Sequence, residues 1–192
     1  METQLVRYAR EAARELLATE APASWTRSEK AATHADHAVT TLGRPRGEVM
    51  VAAAWLHGIG DAPAIQRTGF APVDGAVRLL AEGWPTPVVS LVAHQAQSRL
   101  VAPAYDATER LALFDRIQGW PSDILDYAIV LGAVDAEAPD PETCVRLAGK
   151  QLPASLRMSV RERAERERRL RRAVDRVNAA IIAARASTPA VT

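Results

Sequence analysis

At 192 residues the chain has the length of one domain with a sizeable core, and a hydrophobic share of 48% excludes a disordered chain. A formal net charge of +1 by itself predicts no strongly charged partner. The lone cysteine, Cys144, excludes an intramolecular disulfide and a zinc site of the CxxC type, and it reads as a buried, inert thiol in a reducing cytosol.

The N-terminal stretch is interrupted by charge every few residues, so it reads as neither a signal peptide nor a membrane span. No later segment reaches the about 18 uninterrupted apolar residues that a span needs. The expectation is a cytoplasmic protein with no membrane partner.

In chain order the pattern is a succession of helices broken by Pro and Gly, with no strand series, which predicts an all-α, single-domain helical bundle. A first helix over 4–19 carries Val6, Ala9, Ala13, Leu16 and Leu17 on one apolar stripe. Thr26-Arg27-Ser28-Glu29 matches a capping box and predicts the start of a second helix that stops near Gly43. A third, over 47–59, contains the buried run VMVAAAWL. Pro72 opens a fourth that Gly83 closes, and a fifth runs from Val88 to about Leu100. A sixth spans 108–117 and a seventh begins at Pro121 and reaches Asp135. After a loop over 139–141 comes a short helix around Cys144, then one long charged helix over 156–186. Residues 1–155 thus read as the helical domain, 156–186 as an Arg-rich helix packed on it, and 187–192 as a disordered tail.

The most informative segment is VAAAWLHGIG, from Val51 to Gly60. It resembles the signature of the HD superfamily of metal-dependent phosphohydrolases, in which a buried apolar helix ends in Leu-His-Asp-Ile-Gly. Further words in the right order are similar to a bacterial subfamily: Ala62-Pro63-Ala64, Thr68-Gly69-Phe70, Pro72, Asp74-Gly75-Ala76 and Leu91-Val92-Ala93-His94. The likeness runs from Trp25 to Ala138.

The resemblance implies an HD-like fold and a site in which a His, the His-Asp doublet and a later Asp hold one or two divalent metals that activate water. Carried over residue by residue, His57 matches the doublet His, whereas Gly58 stands at the doublet Asp, Ser28 at the first His and Ile129 at the closing Asp. His94 matches an additional family His and is followed by Gln95. Imidazole and carboxylate suit such ions, so three substituted positions imply a degenerate site with no cofactor. A site rebuilt from neighbours stays open: Fe, Mn, Co or Zn held by His34, His57, Asp61 and His94, with His37 or Asp126 as further candidates.

Each of these residues also has a plain structural reading. His57 suits a hydrogen-bonded core histidine or the wall of a metal-free pocket, and His34 and His37 suit a solvated surface. Asp74 suits a first-turn carboxylate favoured by the helix dipole as well as a substrate contact. The expected pocket comprises Ser28, His57, Gly58, Asp61, Asp74, His94, Gln95 and Ile129.

Residues 157–185 hold ten Arg against four acids, so the remainder of the chain carries about −5. Glu162/Arg166, Glu165/Arg169 and Glu167/Arg171 are pairs in the favourable order, and Leu170, Val174, Val177 and Ile181 form a stripe for packing on the domain or on a second copy. No aromatic residue interleaves with the arginines, which weakens a nucleic-acid reading.

Three functions are compatible with these residues. The first is a degenerate HD-like protein binding a small molecule or a protein partner through the remnant pocket. The second is an enzyme, either a phosphohydrolase with a displaced metal site or a metal-free acid–base catalyst using His57 or His94. The third, ranked last, is a nucleic-acid adaptor using the Arg-rich helix.

Overall fold

Small side chains set how closely the helices pack. The computed structural model describes residues 2–134, 140–150, 152 and 155–187. They form α1 (Gln4–Leu17), α2 (Pro22–Leu42), α3 (Gly47–Leu56), α4 (Ala71–Ala81), α5 (Thr86–His94), α6 (Ser98–Val101), α7 (Thr108–Leu111), α8 (Trp120–Gly132), α9 (Pro141–Lys150) and α10 (Val160–Ala186), with single 3-10 turns between some of them. Along α2 the buried positions are Ser24, Ser28, Ala31, Ala32, Ala35, Ala38 and Val39, so its inner face is nearly flat. Helices α3 and α8 close on that face. The approach is tightest at Gly132 of α8, where a Cβ would lie 2.8 Å from the Ala31 backbone nitrogen.

The bundle is all-α, with no strand among the described residues. The core is aliphatic: Leu17, Leu56, Ile59, Leu79, Ile124, Leu125 and Leu170 are its largest fully buried side chains. Helix α3 is buried from Met50 to Ala54 and again at Leu56, as its continuous apolar run requires. Among the described residues no helix is long and apolar enough to cross a membrane. Cys144 is buried on α9, and burial pushes its thiol pKa up.

Helix boundaries differ from the expected ones where tertiary contacts or prolines intervene. α2 starts at Pro22, whose missing N–H suits a first helical position, and not at the Thr26 capping box. Thr26 lies inside the helix and its hydroxyl donates to the Pro22 carbonyl at 3.1 Å. α3 stops at Leu56, and the chain turns through Gly58 into a 3-10 turn over Ile59–Asp61. α5 ends at His94, six residues short of its expected end at Leu100. The expected sixth helix is a single turn, Thr108–Leu111. The expected loop at 139–141 and the end of the seventh helix at Asp135 lie partly outside the described residues, as does the tail beyond Ser187.

The last helix begins at Val160, where Ser159 and Glu162 form a reciprocal capping box. Its buried face is Arg166, Leu170, Ala173, Val174, Val177 and Ile181, packed on α8, α9 and α2. The arginine in this stripe leads to the site.

Candidate functional site

His57 is the C-cap of α3 and is held from both sides. Its Nδ1–H donates to the Ala54 carbonyl at 2.7 Å, and its own carbonyl accepts from Gln95 Nε2 at 2.7 Å. Burial lowers the imidazole pKa, so the ring is neutral and Nε2 carries the lone pair. Further along the turn, Gly60 allows α4 to approach: a Cβ there would sit 1.9 Å from the Ala71 carbonyl oxygen. This contact draws Phe70, Ala71 and Pro72 up beside His57 and Asp61.

Opposite them the chain makes a left-handed turn after α5. Ala96 has φ 47° and Gln97 φ 61°, values that L-residues adopt at a cost of about 1–2 kcal/mol each. A buried carboxylate from α8 stabilises this turn: Asp126 accepts from the Ala96 N–H at 2.7 Å and from Gln97 Nε2 at 2.6 Å. Burial pushes the Asp126 pKa up to about 6, against the opposing effects of those two hydrogen bonds and of the Arg166 charge. Ser98 closes the turn by donating to the Gln95 carbonyl.

Between these two walls lies a cavity of about 380 Å³, lined on its polar side by Arg27, His57, Asp61, Gln95 and Arg166. Phe70, Pro72, Val101, Tyr105 and Ile129 supply apolar surface. Arg166 reaches in from α10 and is only 7% exposed. Its Nε donates to the Ala96 carbonyl at 3.1 Å and its Nη1 to the Ala148 carbonyl at 3.4 Å. Arg27 is less available, because it pairs with Asp61 at 3.2 Å and with Ser24 at 2.8 Å, and Ser24 in turn donates to Asp61 at 2.6 Å.

Of the expected pocket residues, His57, Gly58, Asp61, Gln95 and Ile129 line this cavity. Ser28, Asp74 and His94 do not. Ser28 is fully buried behind Gly58, and its hydroxyl has no hydrogen-bond partner. Asp74 is spent on the loop before α4, accepting from the Arg67 and Thr68 N–H groups at 3.1 and 3.0 Å and from the Thr68 hydroxyl at 2.9 Å. His94 donates from Nε2 to the Phe114 carbonyl at 2.8 Å, which leaves Nδ1 buried and unpaired. His34 packs edge-on to Tyr127, and His37 accepts from Arg185. His34, His57, Asp61 and His94 therefore occupy different surroundings, and among the described residues no group of three or more His, Cys, Asp or Glu side chains is placed to hold a metal.

Two residues of the site, Arg166 and Asp126, fall outside the expected pocket. Arg166 sits four residues before Leu170, at the position that continues the stripe Leu170, Val174, Val177 and Ile181 toward the N-terminus, and that spacing marks it as inward-facing. Comparison of the chain with protein-family models, with curated proteins and with solved structures finds no match.

Proposed function

We propose that the chain binds a small organic anion in the cavity beside His57, on an HD-like helical scaffold whose metal-ligand positions are degenerate. The observation that carries this reading is Arg166, a nearly buried guanidinium beside apolar surface from Phe70, Val101, Tyr105 and Ile129. A planar cation next to apolar walls favours a carboxylate or phosphate ester with an apolar body, and the volume of about 380 Å³ falls within the range of small-molecule sites.

The four family ligand positions do not fit a divalent metal. They offer the His57 imidazole and the Ser28 hydroxyl, and no carboxylate. A side chain at position 58 would begin 2.9 Å from Ser28 Oγ, so these two positions fill each other's space. Asp61, the nearest substitute, is engaged by Arg27 and Ser24. On this reading the chemistry of the cavity comes from the chain's own side chains, Arg166 and His57 above all.

Thermal-shift measurements with a panel of small carboxylates and phosphate esters test the proposal. At a hundred times its Kd a ligand adds about 2.7 kcal/mol to stability, well within reach of such assays. At least one member is expected to stabilise the wild type and to lose its effect in Arg166→Gln. A panel that stabilises neither protein, or both equally, counts against the site. Metal analysis of protein purified without chelator supplies a second check, since stoichiometric Fe, Mn, Co or Zn would overturn the degenerate-site reading.

A second reading, acid–base catalysis, rests on the neutral His57. With Nδ1–H fixed on Ala54, Nε2 is a base at the cavity wall. His94 has no such role in this reading, because it does not line the cavity and its second nitrogen, Nδ1, is buried away from it. Turnover of a panel member that persists unchanged in His57→Gln would remove this alternative.

A further inference from the structure

The outer arginines of α10 form one wall of a second cleft, about 430 Å³ in volume. Arg169, Arg172 and Arg176 come from α10, and Gln97, Arg116 and Asp123 complete the polar lining. Four guanidinium groups thus face one carboxylate. Two of the four are engaged: Arg169 Nε donates to Glu165 at 2.6 Å and Arg176 Nη1 to Asp123 at 2.7 Å. Arg116 and Arg172 have no ion-pair partner among the described residues. Partial burial, with the like charges of Arg99 and Arg169, holds the Arg116 pKa below the ordinary guanidinium value.

Concave sites lined by one sign of charge concentrate counter-ions, and guanidinium forks match phosphate oxygens in pairs. We infer that this cleft binds a multiply charged oxyanion of the phosphate class carried by a small molecule, with Arg116 and Arg172 as its main ligands. The volume is generous for one tetrahedral oxyanion and accommodates a diphosphate. No aromatic side chain among the described residues lines the cleft to stack a base, which favours a small phosphate over a single-stranded polynucleotide. The cleft shares no lining residue with the His57 cavity, so the inference stands apart from the function proposed above.

Calorimetric titration of the full chain with pyrophosphate, at fixed ionic strength, tests it. Saturable binding of one pyrophosphate per chain is expected. Arg116→Gln and Arg172→Gln should each weaken it about tenfold, the size of one lost charge-assisted contact. Both side chains are exposed, so neither substitution threatens folding. Arg14→Gln, an equal charge change on α1, should leave the affinity within about twofold; α1 packs on α2 and α3, away from α10. Absence of saturable binding overturns the site, and so does equal weakening by Arg14→Gln, which would mean attraction to net charge alone. Loss of binding in Arg166→Gln with retention in Arg172→Gln would move the probe to the His57 cavity and overturn it too. An oligonucleotide that displaces pyrophosphate at lower concentration would replace the small-molecule ligand with nucleic acid.

Discussion

Ser28 and Gly58 occupy one another's space: a Cβ built on Gly58 would stand 2.9 Å from Ser28 Oγ and 3.4 Å from both the Cβ and the carbonyl oxygen of Ser24. Gly58 has φ −90° and ψ −6°, a conformation open to any L-residue, so packing and not backbone geometry demands glycine there. The Ser28 hydroxyl meanwhile is buried without a partner, which costs about 1–3 kcal/mol relative to a satisfied group.

A double-mutant cycle follows from this contact. Ser28→Ala is expected to be neutral or stabilising by about 1 kcal/mol, since it removes an unpaired buried hydroxyl. Gly58→Ala alone should cost about 1–3 kcal/mol by overpacking, and much less in the Ser28→Ala background, where the hydroxyl no longer fills the space. The coupling, read from urea denaturation, should reach about 1–2 kcal/mol. Strictly additive effects would show that the two residues are not in contact.

The Asp126 carboxyl titrates in the folded chain near 6, above its ordinary 3.8. A raised carboxylate pKa means that the folded state holds the proton more tightly. Its stabilising contribution is therefore complete below about 3.8 and lost as pH rises through about 6, a change of at most about 3 kcal/mol. The lowered pKa values of His34, His57 and His94 act in the opposite sense, removing stability as pH falls below 6.5. Asp126→Asn isolates the carboxyl. Measured by urea denaturation from pH 4.5 to 7.5, the wild type should lose stability relative to the variant as pH rises. A pH-independent difference would place the Asp126 pKa at the value of an exposed carboxylate.

Helices marked by an apolar stripe, as α1 and α10 are, or by a proline at the start, as α4 and α8 are, lie within a few residues of their expected bounds, although Val77 and Leu80 of α4 face solvent. The break after His94 is not legible in this way. Nothing between Leu91 and Leu100 interrupts a helical reading, and the interruption comes from Asp126, thirty residues away in sequence, which takes the Ala96 N–H. The capping-box rule points to Thr26, where Pro22 has already begun the helix, yet the same pattern holds at Ser159 and Glu162. In the site, the positions that the resemblance implies are met in part: His57, Gly58 and Ile129 share one cavity and Ser28 stands behind Gly58, whereas His94 lies outside it. The resemblance does not reach Arg166, which lies in the charged helix beyond the region of likeness.

Ala96→Gly examines the strain in the turn. Glycine adopts φ 47° without the steric cost that alanine meets, and the exchange should stabilise the fold by about 1 kcal/mol after the entropic loss is deducted. Thermal unfolding reads the result. A destabilised variant would mean that the half-buried Ala96 methyl contributes more by packing than the left-handed backbone costs.

Arg166 and Asp126 hold the same turn from its two polar sides, one through the Ala96 carbonyl and the other through the Ala96 N–H. Arg166→Met keeps much of the length of the side chain but removes two hydrogen bonds and the cation that partly offsets the buried Asp126 charge. Leaving a buried charge without its partner costs more than losing the bonds alone, so the substitution should destabilise by about 3 kcal/mol at pH 7.5. In the Asp126→Asn background no charge is stranded, and the same substitution should cost only about 1–2 kcal/mol. At pH 4.5, where the folded wild type holds Asp126 protonated, the two costs should converge. Equal costs at pH 7.5 would show that Arg166 acts on the turn only through its hydrogen bonds and not through the Asp126 charge.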